Sequence, residues 1–296
     1  MFTPLVFALL LAAPPLGLDL YRPVPEDNPL TKDRVALGRK LFFDKRLSRD
    51  RTVACATCHD PKRAFTDGRP VAIGVEKRAG NRNVPTLINR AWGRVFFLDG
   101  RAASLEKQAI EPILNPLEMD LTLPEIKARV GLEPEQVTRA LASYVRTIVA
   151  GNSPYDKYSN GDTKALSAEA KAGLAVFRGK GRCTTCHAGP NLTDERLHNT
   201  GVAWRLTNGV GQLADVGAGQ GTFKVPTLRE VARTAPYMHD GSLQTLDEVV
   251  DYYDRGGNPN PNLDEDLRPL NLSAGEKVAL VAFLRSLSGS VREGKI

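Results

Sequence analysis

The sequence carries the motif Cys55-Ala56-Thr57-Cys58-His59 and repeats it as Cys183-Thr184-Thr185-Cys186-His187. The two copies use all 4 cysteines and two of the 4 histidines in the chain. C-x-x-C-H is the pattern of covalent haem attachment, in which both thiols bond to the porphyrin and the histidine ligates the iron. A redox-active cysteine pair and half of a zinc site are the alternatives, but no further ligand stands nearby at zinc-site spacing. The motifs therefore predict two c-type haems, with His59 and His187 as proximal ligands.

The composition excludes several classes of protein. The chain has 296 residues, of which 42% are hydrophobic and 25% charged. This length allows one large or two ordinary domains with hydrophobic cores, and disordered, collagen-like and coiled-coil proteins are excluded. The 4 cysteines would cross-link too little of the chain for a disulfide scaffold. The net charge of +6 fits a solvated surface or an acidic partner. Without a recognised module or a clustered basic run, we expect no nucleic-acid partner.

An apolar run from Leu5 to Ala13 has the length of the hydrophobic part of a secretory signal peptide. Covalent haem attachment takes place outside the cytoplasmic membrane, so an exported protein is expected. No Lys or Arg precedes Arg22, which leaves a retained N-terminal anchor or a wrongly assigned start as alternatives. The run is too short to span a bilayer as a helix. We predict a signal peptide at residues 1–18 and a periplasmic mature protein without a membrane span.

The second half of the sequence echoes the first. Asn83-Val84-Pro85-Thr86-Leu87 follows the first haem motif, and Lys224-Val225-Pro226-Thr227-Leu228 follows the second. An Asp-Gly pair begins 14 residues beyond each of these prolines, at Asp99 and at Asp240. The same phrases in the same order indicate that one unit occurs twice.

Helix signals accompany the repeat. An apolar helical segment precedes each motif, and an amphipathic helix closes each half. Capping boxes at Thr245–Glu248 and Ser273–Glu276 predict the starts of two helices in the second half. The predicted fold is mainly α, with two cytochrome c-like haem domains related by internal duplication. Their predicted bounds are 19–155 and 156–296.

The two halves differ at the position from which a second protein side chain would bind the haem iron and block it to other molecules. Alignment on the Asp-Gly pairs puts Pro112 opposite Tyr253. Proline offers no ligand atom, whereas a tyrosine oxygen can bind haem iron. Met238 and His239 are further candidate ligands of the second haem, and a buried core tyrosine is the alternative for Tyr253. The first haem is therefore predicted to be open to hydrogen peroxide and the second to be closed. The loop residue His198 is expected to contact a haem propionate or the backbone.

Over roughly residues 25–290 the sequence resembles the bacterial dihaem cytochrome c peroxidases and their MauG-type relatives. The resemblance implies a haem peroxidase-type oxidoreductase that uses hydrogen peroxide. It rests on LGRKLFFDKRLS (37–48), CATCHDPKRAFTDG (55–68), NVPTLIN (83–89), DGRAASLEKQA (99–109), CTTCH (183–187) and FKVPTLREVARTAPYMHDGSLQTLDEVVDYYDRGG (223–257).

The resemblance also implies roles for single residues around the two haems. Tyr253 falls where the peroxidases have an axial methionine and MauG-type proteins an axial tyrosine, which favours Tyr253 over Met238. Glu118 and Gln108 match residues of the distal pocket of the first haem. We expect Glu118 to act as the general acid–base and Gln108 to position peroxide or water.

A calcium ion between the haems is implied by the resemblance alone. Its ligands would be the side chain of Asn83 and the carbonyl oxygens of Thr234 and Pro236. Hard oxygen ligands of this kind suit calcium.

Two positions depart from the family pattern. Val75 stands where the peroxidases have a histidine that closes the first haem until the other is reduced, which implies a haem that is open without reduction. Leu98 stands where the family has a tryptophan between the haems, which puts fast charge sharing in doubt. Trp92 is a candidate substitute, with a packed or partly exposed aromatic as the alternative.

Two functions remain open at this point. In the first, the chain reduces peroxide with electrons from a small redox protein, which would be a cytochrome c or a cupredoxin. Alternatively, it oxidises residues of a partner protein, as MauG does when it matures a tryptophan-derived quinone cofactor. Val75 and Tyr253 favour the second function, whereas Leu98 argues against a close functional copy. An open haem disfavours a third class, the plain dihaem electron carrier.

Overall fold

A computed structural model describes residues 15–296, and α-helices dominate it. The predicted run from Leu5 to Ala13 lies outside the described residues. The mainly α fold is confirmed. The helices are α1 (Lys32–Phe42), α2 (Cys55–Cys58), α3 (Leu105–Leu114), α4 (Leu123–Val130), α5 (Pro134–Val145), α6 (Pro154–Ser159), α7 (Ala168–Arg178), α8 (Leu246–Asp254) and α9 (Ala274–Arg285).

Short antiparallel strands pair two by two between the helices. β1 (Val149–Gly151) pairs with β6 (Ser290–Arg292), β2 (Leu197–His198) with β5 (Phe223–Lys224), and β3 (Trp204–Thr207) with β4 (Val210–Leu213). None of these sheets forms a core, because each has only 2 strands of at most 4 residues.

Each half is built around one close helix crossing. In the first half α1 packs on α5, and in the second α7 packs on α9. A Cβ atom at Gly38 of α1 would lie 1.9 Å from the carbonyl oxygen of Ala140, and one at Gly173 of α7 would lie 1.8 Å from that of Ala279. Only glycine allows the two backbones to approach so closely. The two halves therefore repeat the same local geometry.

The close crossing predicts unequal effects of the same substitution at two helical glycines. Gly173→Ala should destabilise the protein by about 1–3 kcal/mol, because the added methyl group overlaps the α9 backbone. Gly275 lies in α9, where a Cβ atom would have no neighbour among the described residues within 4 Å. Gly275→Ala should leave stability unchanged or raise it by up to about 1 kcal/mol. Urea midpoints of the two holoprotein variants measure the difference, and equal midpoints would contradict it.

The capping boxes predicted in the second half are confirmed. The hydroxyl of Thr245 accepts a hydrogen bond from the Glu248 N–H at 3.1 Å, and that of Ser273 accepts one from the Glu276 N–H at 3.3 Å. In each box the glutamate carboxylate in turn accepts a hydrogen bond from the N–H of the capping residue. These reciprocal bonds fix where α8 and α9 begin.

The chain end returns to the first half. Strand β6 pairs with β1, and the Gly294 N–H donates to the Thr147 hydroxyl at 2.8 Å. Glu293 pairs with Arg39 at 3.5 Å. The last residues therefore bind the two halves together, and the domain boundary between residues 155 and 156 stays a prediction.

The first described residues also contact the folded chain. The N–H of Leu16 donates to the Asn152 side chain at 2.8 Å, and the Asn152 N–H donates back to the Leu16 carbonyl at 2.9 Å. Residue 16 belongs to the predicted signal peptide of residues 1–18, which stays a prediction. Among residues 15–296, none of the helices combines the length and apolar character needed to cross a membrane.

Candidate haem sites

The first haem motif places its histidine ready to bind a metal. α2 ends at Cys58, and the His59 N–H donates to the Cys55 carbonyl at 2.8 Å. The His59 Nδ1 lies 3.0 Å from the Phe65 carbonyl oxygen, so that nitrogen carries the proton and Nε2 keeps its lone pair. Burial lowers the pKa of His59 to about 4, which keeps the imidazole neutral. A neutral, oriented imidazole is what haem ligation requires.

The second motif repeats this geometry. The His187 N–H donates to the Cys183 carbonyl at 2.9 Å, and the His187 Nδ1 lies 3.0 Å from the Leu192 carbonyl oxygen. Burial again lowers the histidine pKa to about 4. The cysteines of both motifs are partly buried. Both donor sets therefore fit a covalently attached haem with one histidine ligand.

Glu118 lies in the first half of the molecule, near the cysteines of the first motif. Its side chain accepts a hydrogen bond from the Asn115 amide at 2.8 Å, and its carbonyl accepts one from the Val75 N–H at 2.9 Å. The charge of Glu118 contributes to raising the pKa of the Cys55 and Cys58 thiols, so the carboxylate lies near both. Burial raises the pKa of Glu118 above its ordinary value. A buried carboxyl with a raised pKa suits acid–base chemistry near neutral pH.

Helix α3 carries the other predicted residues of the first site. Gln108 and Pro112 are four residues apart and therefore share one helix face. Gln108 is half-buried, and within the described part of the chain its side-chain amide has no hydrogen-bond partner. Glu111, on the same helix, pairs with Arg101 at 2.8 Å, and its side chain is 40% exposed. The Gln108 amide is thus available to a small polar molecule.

Two adjacent tyrosines on α8 have different surroundings. The Tyr252 hydroxyl donates to the Thr200 carbonyl at 2.7 Å, and its ring is perpendicular to that of Tyr253 at 5.6 Å. Burial raises the pKa of Tyr253, and the nearby Tyr252, Cys186 and Cys183 raise it further. The influence of both cysteines puts the Tyr253 oxygen near the second motif. Of the two tyrosines, Tyr253 is the one whose pKa both cysteines of the second motif raise.

The ring of His239, another candidate ligand of the second haem, packs against an aromatic side chain. Its buried ring stacks on Phe223, with 3.8 Å between ring centroids and 13° between ring planes. Its carbonyl accepts the Asn83 N–H at 2.7 Å. Met238, beside it, has a positive φ of 71° at the point matching Phe97 in the first half, where φ is 66°. This stacking fixes the orientation of the His239 ring, and the choice of Tyr253 as the ligand stays a prediction.

Trp92 and Val75 both contact groups of the first half. The Trp92 Nε1–H donates to the Tyr21 carbonyl at 2.9 Å, on a partly exposed surface, which favours the packed-aromatic alternative. Val75 is fully buried in the core of the first half. Leu98 lies at the contact between the two halves, where its carbonyl accepts a hydrogen bond from the Lys224 N–H at 2.7 Å.

The predicted calcium ligands belong to neighbouring segments. The Asn83 N–H bonds to His239, three residues beyond Pro236, and the Asn83 side-chain amide donates to the Arg69 carbonyl at 2.8 Å. The amide oxygen of Asn83 stays available as an acceptor. Thr234 ends the helical turn that precedes Pro236. The side-chain oxygen fits calcium chemistry, and the ion itself stays a prediction.

The contacts of His198 differ from those expected. Its ring nitrogens lie beside two carboxylates, 2.5 Å from Asp264 and 3.0 Å from Asp194, and not beside a backbone group. Cys186, Asp194 and His198 also form a cluster of metal-ligand atoms within 4.8 Å of one another. Cys186 belongs to a haem motif, and the ring nitrogens are already engaged, so the cluster does not indicate a further metal. Nothing in the sequence pointed to Asp264, which is 66 residues away.

Sequence and structure comparisons give one consistent answer. Residues 32–164 match the family model described as di-haem cytochrome c peroxidase. The chain is 41% identical over 285 residues to the methylamine utilization protein MauG of Methylorubrum extorquens, covering 90% of this chain and 81% of that protein. It is 33% identical over 303 residues to the cytochrome c551 peroxidase of Pseudomonas aeruginosa, covering 91% of this chain and 84% of that protein.

A solved structure agrees with these relatives. The crystal structure of a MauG-like protein associated with microbial copper homeostasis matches with a TM-score of 0.83 at 30% sequence identity. The match covers 91% of this chain and 93% of that chain.

Proposed function

The chain belongs to the di-haem cytochrome c peroxidase and MauG family, and on that premise we propose that it reacts with hydrogen peroxide at the first motif and passes oxidising equivalents through the second. Members of this family are haem peroxidase-type oxidoreductases. The proposal treats the halves as duplicated haem domains of a periplasmic protein. The repeated helix crossing and the apolar run at Leu5–Ala13 support it.

One observation carries the proposal. Tyr253 lies near the second motif, whereas the matching position of the first half is Pro112 on the same face of α3 as Gln108. A haem at the first motif would have protein ligation on one side only and would supply an iron able to bind peroxide. A haem at the second motif would be ligated on both sides, by His187 and Tyr253. Such a site exchanges electrons and does not bind substrate.

Two side chains would carry the proton chemistry at the first site. The Glu118 carboxylate would take the proton from one oxygen of hydrogen peroxide and give it to the other. A haem at the first motif would supply the two electrons with which the O–O bond breaks, and it would accept the remaining oxygen as water leaves. Asn115 holds the carboxylate in place at 2.8 Å. The Gln108 amide would donate a hydrogen bond that orients the peroxide or a water molecule.

The source of the electrons separates two versions of this function. In the first, a small redox protein, a cytochrome c or a cupredoxin, reduces the second site. In the second, the oxidising equivalents remove electrons from residues of a partner protein. Tyr253, Val75 and the two MauG relatives, at 41% and 37% identity, favour the second version. Leu98 at the contact between the halves argues against an identical electron route.

The proposal predicts the behaviour of the oxidised holoprotein. Its EPR spectrum should contain one high-spin and one low-spin ferric signal, because one iron is open and the other closed. Hydrogen peroxide should change both signals without prior reduction, because Val75 offers no ligand to close the first site. Two low-spin signals, or a reaction that requires prior reduction, would contradict the proposal.

A second measurement separates the two versions. Peroxide consumption is followed with a reduced small cytochrome c or cupredoxin as electron donor, and in parallel with the protein products of neighbouring genes as substrates. Rapid oxidation of a small donor supports the peroxidase version. A mass change in a partner protein that requires peroxide and holoprotein together supports the second version.

We include one calcium ion in the proposal, held by Asn83, Thr234 and Pro236. The free amide oxygen of Asn83 and the proximity of its backbone to the 234–239 segment support this site. Metal analysis of the purified holoprotein should find about one calcium per chain, and Asn83→Ala should reduce that content.

A further inference from the structure

His198 lies in an unusual position between two acidic side chains. It belongs to β2, its side chain is 15% exposed, and its Nδ1 and Nε2 atoms lie 2.5 Å from Asp264 and 3.0 Å from Asp194. The acidic partners are fixed in turn, because the Asp264 N–H donates to the Asn199 carbonyl at 3.0 Å and the Asp194 N–H to the Cys186 carbonyl at 2.8 Å. The histidine is thus held by contacts from two separate loops.

The geometry determines the charge of this histidine. A neutral imidazole has one N–H, so one of its nitrogens would turn a lone pair toward a carboxylate oxygen. Both contacts are hydrogen bonds only when both nitrogens carry a proton. Burial lowers the pKa of His198, but the hydrogen bonds to Asp264 and Asp194 outweigh burial and raise it above its ordinary value. The two contacts and the raised pKa together favour the imidazolium form of this side chain.

This cation lies beside a haem-attachment atom. The His198 Nδ1 is 3.9 Å from the Cys186 Sγ, which the second motif offers to a haem. Asp194, Asp264 and Asp266 all raise the pKa of the Cys186 thiol after the effect of burial, so negative charge surrounds this sulfur. The negative charge of Asp266 is partly balanced by Arg182, whose guanidinium nitrogen lies 2.8 Å from the Asp266 carboxylate. His198 is the positive group that faces the sulfur directly.

We infer that His198 is a positioning residue that raises the reduction potential of the second haem, by holding a positive charge against the Cys186 sulfur and offsetting Asp194 and Asp264. Reduction adds one electron to the haem, and a nearby cation stabilises that added charge. The inference rests on the proposed haem attachment at Cys183 and Cys186. It does not depend on which partner supplies electrons.

Coulomb's law gives the size of the effect. A unit charge roughly 10 Å away, at an effective dielectric constant of ~20, changes the equilibrium constant for one-electron reduction by on the order of tenfold. Loss of the His198 charge should therefore make the second haem about tenfold harder to reduce. The first haem should change little, because the charge lies beside the second motif.

The test compares His198→Gln with His198→Lys in the holoprotein. Haem content of the wild type and of both variants is measured first by the pyridine haemochrome method, since a wild-type protein with fewer than two attached haems would refute the proposed cofactor and not the role of His198. Spectroelectrochemical titration then gives both midpoint potentials. His198→Gln should lower the potential of the low-spin haem alone, and His198→Lys, which keeps the charge, should restore most of it. An unchanged potential in His198→Gln with both haems attached would overturn the inference.

Asp194→Asn keeps the inference testable if His198→Gln does not fold. This variant removes a negative charge and keeps the contact of His198 with Asp264. The potential of the low-spin haem should then rise, opposite to the effect of His198→Gln. A fall, or equal shifts at both haems, would also overturn the inference.

Discussion

Replacing Glu118 with glutamine is expected to slow the reaction of the holoprotein with hydrogen peroxide by about 10²–10⁴-fold, the range for loss of a general acid–base. Glutamine has nearly the same shape and can still bond to Asn115, but it cannot accept and return a proton. Stopped-flow absorbance gives the second-order rate constant from its dependence on peroxide concentration. The matched control is Glu135→Gln, because the Glu135 side chain in the first turn of α5 is 73% exposed and pairs only with Arg139 among the described residues. A rate constant for Glu118→Gln equal to that of the control would exclude this role.

The pH dependence of the same reaction provides an independent check. Glu118 must be deprotonated to accept the first proton, so the rate constant should rise as the pH increases through its pKa. Burial raises that pKa, and the inflection should therefore lie above the ~4.3 of an ordinary glutamate. Glu118→Gln should lose this inflection. An inflection that persists in the variant would assign it to another group.

Tyr253→Phe is expected to convert the second haem from closed to open, with loss of the low-spin EPR signal and gain of a second high-spin signal. The substitution removes only the oxygen and keeps the ring in place on α8. The matched control is Tyr252→Phe, which deletes the adjacent hydroxyl and its hydrogen bond to Thr200. The control should lose about 1 kcal/mol of stability and keep the wild-type EPR spectrum.

A Tyr253→Phe variant that stays low-spin would mean that another residue ligates the second haem. Met238→Leu then tests the thioether as that ligand, and loss of the low-spin signal in this variant would identify it. With Tyr253 as ligand, Met238→Leu should keep the wild-type spectrum.

Much of the fold could be predicted from the sequence because its signals are local. Covalent haem attachment needs two thiols and a histidine within five consecutive residues, so each C-x-x-C-H motif is visible without tertiary structure. A capping box likewise depends on residues three apart, and those at Thr245 and Ser273 start their helices as predicted. The repeat of these signals along the chain predicted two helical units with one motif each.

The candidate site was predictable only in part. Pro112 and Tyr253 could be compared because both stand at fixed distances from an Asp-Gly pair. Glu118 and Gln108 came from resemblance, since a lone glutamate and a lone glutamine carry no recognisable spacing. The structure adds Asn115, which holds Glu118, and it separates Tyr253 from Tyr252 by their surroundings.

What the sequence determined by itself is therefore the covalent chemistry: two haem-attachment motifs in two helical halves, one with and one without a second candidate ligand. Only the tertiary structure decided which distant groups meet. It paired the end of the chain with β1, directed the ring of His239 onto Phe223, and placed His198 between Asp194 and Asp264. The reason is physical, because charge pairing and burial depend on distance in space, and residues 66 positions apart have no fixed distance until the chain has folded.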